Sequence, residues 1–397
     1  MHDDFPSRRA ICAAGTATLL LTFSDGMLRV AKGAGILPDG DAYALWDLWN
    51  DKTIRGTPLA LVAAGVLAAN PHDTQPWIFR IRDDAIEIYA DLSRNLGAMD
   101  AFVREMHLGL GCAIQNMLLA ARPNGYAAEL DIVSGSLLDL HERRAPILAA
   151  TLHLTRRAPT APDSLYRAIA ERHTNRYAYD RDKTFPADWL DFAAHANVSD
   201  DVRIFLFEDG PKRVAYDALV VEATEAIIAD KTMIADSDRW FRASRCEIDA
   251  HRDGPTLDAA GLSTMTLIFA KIFPVSPETS HQAWLSQTRE TQVATAPVTG
   301  LIAVRDRYDR NSTIAAGRTW QRLHLSATAH GMAMQPLNQP IEMVDRERQT
   351  SRGTHWATRV SQLTGANWQA TFAFRAGYSD HAASASPRRA LHDVVHM

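Results

Sequence analysis

Two stretches of this 397-residue chain repeat one another, and that repeat limits the folds open to it. Gly111 and Gly125 bracket "GCAIQNMLLAARPNG", and Gly317 and Gly331 bracket "GRTWQRLHLSATAHG". Within them Gln115 matches Gln321, Leu119 matches Leu325, and Ala121 matches Ala327. Upstream, Arg55-Gly56-Thr57 matches Arg172-His173-Thr174. Arg55 lies 56 residues before Gly111, whereas Arg172 lies 145 before Gly317. A tandem duplication with a long insertion in the second copy accounts for all of this. Chance likeness between two amphipathic helices does not explain the preceding R-x-T.

Punctuation and periodicity fill in each copy. Thr57-Pro58 opens a helix with a capping hydroxyl and a proline at its first position. Its apolar run, "LALVAAGVLAA", predicts burial all round, and Asn70-Pro71 ends it. Residues 77–82 and 85–90 alternate about Asp83-Asp84, which reads as a hairpin. Further strands are expected at 128–133, 147–154, "VRIFLFE" and "WQATFAFRAGY". Asp163 caps "SLYRAIAERHTNR", and another helix is expected over 215–230. "RRAPTAPDS" reads as the linker between copies. Residues 232–300 show few clear periods and form the insertion. The class is α+β, with one copy over 45–155, the other over 160–397 and an N-terminal segment over 1–35.

Charge and cysteine usage narrow the function. A net charge of −5 argues against a dedicated nucleic-acid binder. Three cysteines, far apart and without CxxC, exclude a Cys-based zinc site. No G-x-G-x-x-G or G-x-S-x-G is present. His72-Asp73 lacks the further ligands a metal needs, and Trp77 reads as core. Arg8-Arg9 precedes a short apolar run, 11–23, too brief to span a bilayer. It reads as a Tat export signal, although no clean small-x-small cleavage site follows. Tat carries folded proteins, often already loaded with a cofactor.

Two groups of residues carry chemistry. In "RHTNR", Arg172, His173, Thr174 and Arg176 place two guanidinium forks and a hydroxyl together, which suits a phosphate monoester. Arg388-Arg389 adds a second basic pair near the C-terminus. Alone, each cluster reads as a solvated surface. The loop "ANPHDTQPWIF" supplies their complement. Pro71 and Pro76 stiffen it, and His72, Asp73, Thr74 and Gln75 offer polar groups to the heteroatom edge of a planar ring. A phosphate site beside a ring-edge site describes FMN.

These motifs resemble those of the FMN-dependent nitroreductases. The loop and hairpin look like their "PSxxNxQPWxF" segment, and "RHTNR" looks like their "RRSxR" segment. "HGMAMQPLNQPIE", with Gly331 and Met332, is similar to their stretch beyond the second central helix. "FRAGY…SPRR" resembles their basic C-terminal end. With the twin arginine and the duplication, the chain is most similar to the Acg family of single-chain, tandem nitroreductase-fold proteins, over residues 50–396. The resemblance implies an FMN-dependent nitroreductase-like fold, two tandem copies forming an internal pseudo-dimer, and a monomer in solution.

Only the first copy has the "QPW" loop, and only the second has R-x-T-x-R. One complete FMN site per chain is therefore expected, built from 71–76, 172–176, Gly331, Met332, Arg388 and Arg389. Where the family has Asn, this chain has Asp73. A carboxylate near a flavin disfavours the anionic reduced form, unless it bonds only to backbone N–H groups. Two functions follow from the resemblance. One is hydride transfer from NAD(P)H through FMN to nitroaromatic or quinone-like acceptors, with no catalytic side chain demanded. The other is flavin storage, with 232–300 as a lid and Trp240, Phe241, Met265, Phe269 and Trp284 as its apolar mass. Binding of another phosphorylated ring is a third reading.

Overall fold

The computed structural model describes residues 40–140, 143–273 and 275–396. The Tat-like segment falls outside them. Two sheets flank a central helix pair. One orders its strands β3 (Tyr126–Ile132), β4 (Ile147–Arg156), β2 (Ala85–Ala90), β1 (Trp77–Ile81) and β9 (Val395–His396). The other runs β5 (Val202–Phe207), β6 (Val298–Val304), β8 (Gln369–Gly377) and β7 (Ala333–Pro336). The expected hairpin is present, with Trp77 opposite Ala90. The α+β class holds.

The central helices, Arg104–Ala121 and Arg310–Ala329, begin seven residues before their glycines. Gly111 and Gly317 therefore do not bracket them, as the spacing suggested; they mark where the helices touch. A Cβ on Gly111 would lie 2.2 Å from the Ile314 carbonyl oxygen, and one on Gly317 2.0 Å from that of Leu108. Hydrogen on both α-carbons is what lets the backbones close. Polar side chains lock the crossing: Gln321 donates to Asn116 Oδ1 at 2.9 Å, and Asn116 donates to the Ala64 carbonyl at 2.9 Å. Trp77, Phe79 and Ile86 of one sheet, Phe372 and Phe374 of the other and Trp320 of the second central helix share one core.

Several local expectations shift. The first buried helix is Pro58–Gly65, but the Thr57 hydroxyl donates back to the Ile54 carbonyl instead of capping. Asp163 does cap, over the short helix Ser164–Arg167. Residues 172–176 are irregular, because the Asn175 N–H is drawn to the Met334 carbonyl at 3.1 Å. His396 is on a strand: β9 pairs parallel with β1, Val395 opposite Phe79. The C-terminal tail of the second half thus completes the sheet of the first and carries Arg388 and Arg389 across with it.

The stretch 232–300 is helical for much of its length, with helices Lys231–Asp238, Arg245–His251, Thr264–Ile272 and Pro277–Gln287. Its first helix is anchored on the first half, where Ala98 N–H donates to Asp236 Oδ2 at 2.7 Å. Met265 and Phe269, on the helix Thr264–Ile272, are 69% and 60% exposed.

Candidate functional site

The loop after the first buried helix is held in an unusual backbone conformation. His72, Asp73 and Gln75 all have positive φ, at 44°, 49° and 49°. Left-handed non-glycine residues cost on the order of 1 kcal/mol or more each and persist where surroundings over-determine them. Asn70 does much of that work. Its Oδ1 accepts the Gln75 N–H at 2.7 Å, and its amide donates to Asp73 Oδ1 at 3.2 Å. The first central helix closes from below, since a Cβ on Gly109 would meet Pro71 Cδ at 3.0 Å.

Strand β9 brings the C-terminal arginines onto this loop. Arg388, 2% exposed, donates from Nη1 to Asp73 Oδ1 at 2.7 Å and to the Pro387 carbonyl at 2.8 Å. Its guanidinium lies 4.7 Å from the centre of the Trp46 ring. The other side of this wall is His173, whose ring meets Trp46 edge-on at 4.4 Å. Arg172, 3% exposed, donates from Nη2 to the Leu67 carbonyl at 3.1 Å. Loop, 172–173 and 388–389 therefore converge on one buried place.

Charge is unbalanced there. Arg172 and Arg388 are both buried, and Asp73 is the carboxylate between them. Burial pulls the Arg172 guanidinium down to about 10, and the neighbouring Arg388 pulls the same way. Burial pushes the Asp73 carboxyl up to about 7, against the opposing pull of Arg388 and Asn70. Polar atoms are left without hydrogen-bond partners: Nε of Arg172, Nε of Arg388, Nδ1 of His173, Oγ1 of Thr74 and Oδ2 of Asp73. Unpaired buried polar atoms carry a desolvation cost. Guanidinium N–H groups beside a net positive charge are the chemistry an anionic phosphate satisfies. The residues present fit the phosphate end of FMN.

The ring-edge end is built differently from what the sequence suggests. Gln75 is fully buried, and its amide is already bonded within the chain. It donates to the Arg252 carbonyl at 2.8 Å and accepts the Arg389 N–H at 2.8 Å. It is a clip between the loop, the insertion and the C-terminal segment. The insertion makes further contacts here. His72 Nε2 lies 2.9 Å from Ser237 Oγ, and Gly254 N–H donates to the Asp73 carbonyl at 3.1 Å. Arg176 donates to the Ala259 carbonyl at 2.8 Å. Buried Asp253 pairs with Arg242 at 2.7 Å and also with Arg94, which in turn donates to the Thr74 carbonyl. The segment 237–259 thus lies against the loop through polar contacts, with Trp240 of the expected apolar mass packed under Arg94.

The remaining candidates divide. Pro76 is buried and precedes β1. Thr174 is partly buried within the 172–176 segment. Gly331 is exposed with φ 68°, a left-handed residue ending the second central helix. Met332 packs into the shared core, and this stretch reaches 172–176 through the Met334 carbonyl. Asp73 bonds to side chains of Arg388 and Asn70, not to backbone N–H groups alone. Trp46, Arg94 and His324 are neighbours that no motif had flagged.

No family model matches the chain. Two Mycobacterium tuberculosis proteins, provisionally named NAD(P)H nitroreductases, are each 24% identical over 348 residues, covering 85% of this chain and 91% of theirs. Over that length the chain is homologous to proteins of the nitroreductase family, in agreement with the fold expected from its motifs. Solved structures with similarity include a Desulfitobacterium hafniense nitroreductase with bound FMN, at 12% identity and a TM-score of 0.35, covering 59% of this chain and 98% of that one. Another is an FMN-dependent nitroreductase of Mycobacterium smegmatis in complex with NADPH, at 16% identity and a TM-score of 0.34, covering 59% and 97%.

Proposed function

We propose that this chain is an FMN-binding oxidoreductase of nitroreductase type, holding one FMN per chain between the loop 71–76 and the arginines of the second half. The observation that carries this is the buried, under-neutralised pair Arg172 and Arg388, with unpartnered Nε atoms on both. Bound there, FMN would supply hydride chemistry, accepting from NAD(P)H and passing electrons to a nitroaromatic or quinone-like acceptor. The protein's own part is binding and electrostatics. Arg172, His173, Thr174 and Arg388 hold the phosphate, Trp46 walls that end, and the strained loop keeps its backbone groups aimed. Asp73, titrating near 7, and Arg388 beside it set the local charge. Export by the Tat route, to the periplasm or membrane surface, and a monomer built as an internal pseudo-dimer belong to the same reading.

A second reading is flavin storage with little turnover. It is favoured by the four contacts that tie Ser237, Arg252, Gly254 and Ala259 to His72, Gln75, Asp73 and Arg176. An anaerobic absorption spectrum separates the two. The reductase reading predicts that the FMN-loaded protein bleaches promptly on NADPH addition. Bands that survive NADPH yet bleach with dithionite would overturn it in favour of storage.

A further inference from the structure

Asp73 meets the phosphate arginines with a charge of its own. Its Oδ1 is doubly engaged, accepting from Arg388 Nη1 at 2.7 Å and from the Asn70 amide at 3.2 Å. Oδ2 of the same carboxyl is buried and has no partner. The loop around it is pinned, since the Asp73 carbonyl accepts the Gly254 N–H at 3.1 Å. Arg388 is committed on its side to Asp73, to the Pro387 carbonyl at 2.8 Å and to the Ala68 carbonyl at 3.4 Å, with Nε left over. The guanidinium that would hold a phosphate is therefore the one that neutralises the loop carboxylate.

The groups facing Asp73 come from four elements. Arg388 on the C-terminal segment and Arg172 favour the carboxylate, and Arg176 faces it from the same segment as Arg172. Asp253 of the insertion opposes them, although Arg242 and Arg94 already pair with it. Tyr43, before the first buried helix, is a phenol that burial keeps uncharged. On the loop itself, burial and then Arg176 hold His72 at about 4, so that ring is neutral. Across the wall, burial and then Arg172 and Arg388 hold His173 at about 3. Burial outweighs the arginines at Asp73 and leaves it near 7, so a modest change in local field decides its proton. A dianion bonded to Arg388 makes that change twice over. It draws on the positive charge that keeps Asp73 ionised, and it repels the carboxylate directly. The two imidazoles start far lower and stay neutral.

We propose that Asp73 takes up a proton on Oδ2 when a phosphomonoester dianion binds Arg388, so that the loop carboxylate is a neutral acid in the loaded site. The proton comes from solvent, and the bond formed is Oδ2–H. Loading therefore consumes a proton, and the ligand is held less tightly as the solution becomes alkaline. The inference rests on the phosphate end of the flavin reading, but not on the ring-edge end.

The test is calorimetric titration of the full-length protein with FMN at about pH 8, where the phosphate is already a dianion, in two buffers of different ionisation enthalpy. The expected result is uptake of about one proton per FMN and an affinity that falls about tenfold per pH unit above about pH 7. Asp73→Asn keeps the shape without the proton site; it binds FMN with no uptake and a flat profile over the same range. Asp73→Ser serves if that variant does not fold. A carboxylate that only braced the loop would alter affinity on substitution, but the native protein would take up no proton. FMN binding without proton uptake in the native protein, or uptake unchanged in the variant, overturns the proposal and leaves the flavin reading standing. Failure of FMN to bind, with inorganic phosphate binding in a proton-coupled way that the variant loses, removes the flavin reading and keeps the proposal. Failure of both ligands removes both.

Discussion

Arg388→Met is expected to lose stability in a pH-dependent way and to lose flavin binding at every pH. Removing one partner of a buried ion pair typically costs about 3–5 kcal/mol, because the other charge is left alone. Asp73 has an escape that most buried carboxylates lack. Its folded-state value is already raised to about 7. Without Arg388 it rises further, and in mildly acidic solution the carboxyl simply stays protonated. A raised folded-state value contributes stability that is complete below the unfolded value and is lost as pH rises through the folded one. The deficit of Arg388→Met should therefore be small below about pH 7 and grow by about 1.4 kcal/mol per pH unit above it. Urea unfolding at several pH values reads this directly. FMN affinity should fall about 10- to 100-fold or more, the weight of a charge-assisted contact to phosphate. A deficit independent of pH would mean that Asp73 and Arg388 are not electrostatically linked.

The second large effect lies at the helix crossing, distant from any ligand. In an open helix, Gly→Ala gains about 1 kcal/mol. At Gly317 the added methyl would sit 2.0 Å from the Leu108 carbonyl oxygen and 2.8 Å from its carbonyl carbon. Both are backbone atoms of a buried helix, so the two central helices must separate. Overpacking of this kind costs about 3 kcal/mol or more, enough to reverse the usual sign. Gly109→Ala is the graded comparison. Its nearest neighbour is the Cδ edge of the Pro71 ring at 3.0 Å, which can yield by a few tenths of an ångström. Denaturant midpoints should rank native, then Gly109→Ala, then Gly317→Ala with a wide gap. Because the shared core and the tail strand both depend on this crossing, Gly317→Ala should also loosen the site, seen as lost flavin affinity.

The reasons some of this was legible in the sequence, and some not, are physical. Period-two alternation about Asp83-Asp84 specified the β1–β2 hairpin, and Asn70-Pro71 specified where the first helix ends. The pairing of R-x-T with a later glycine-containing helix was what pointed to a duplication. The same glycines were misread as boundaries, because a glycine at a helix end and one at a helix contact look alike in one dimension. Only three-dimensional approach, here within 2.2 Å of a carbonyl, separates them. The loop was recognised as rigid for its prolines, but its positive φ values at His72, Asp73 and Gln75 belong to residues with no glycine signature.

The site was legible in its charges and not in its neighbours. Arg172 and Arg388 were named from the "RHTNR" and "SPRR" motifs, and they do converge. That Gln75 spends its amide on Arg252 and Arg389 depends on where a distant insertion lands. Likewise the strand that delivers Arg388 is only Val395–His396, too short to show a period. His324 sat in plain view within the repeated helix. Its partner in the repeat is Leu118, and that replacement of an apolar residue by histidine is the signal that could have marked it. The apolar residues Met265 and Phe269 were assigned to a covering role by size, and they are exposed in the structure.

The central claim is that one chain contains one complete flavin site. Native mass spectrometry of the full-length protein saturated with FMN tests it most directly. The account predicts a single chain carrying a single FMN, with the flavin lost in Arg388→Met. Two FMN per chain, or one FMN only on a two-chain assembly, would contradict it.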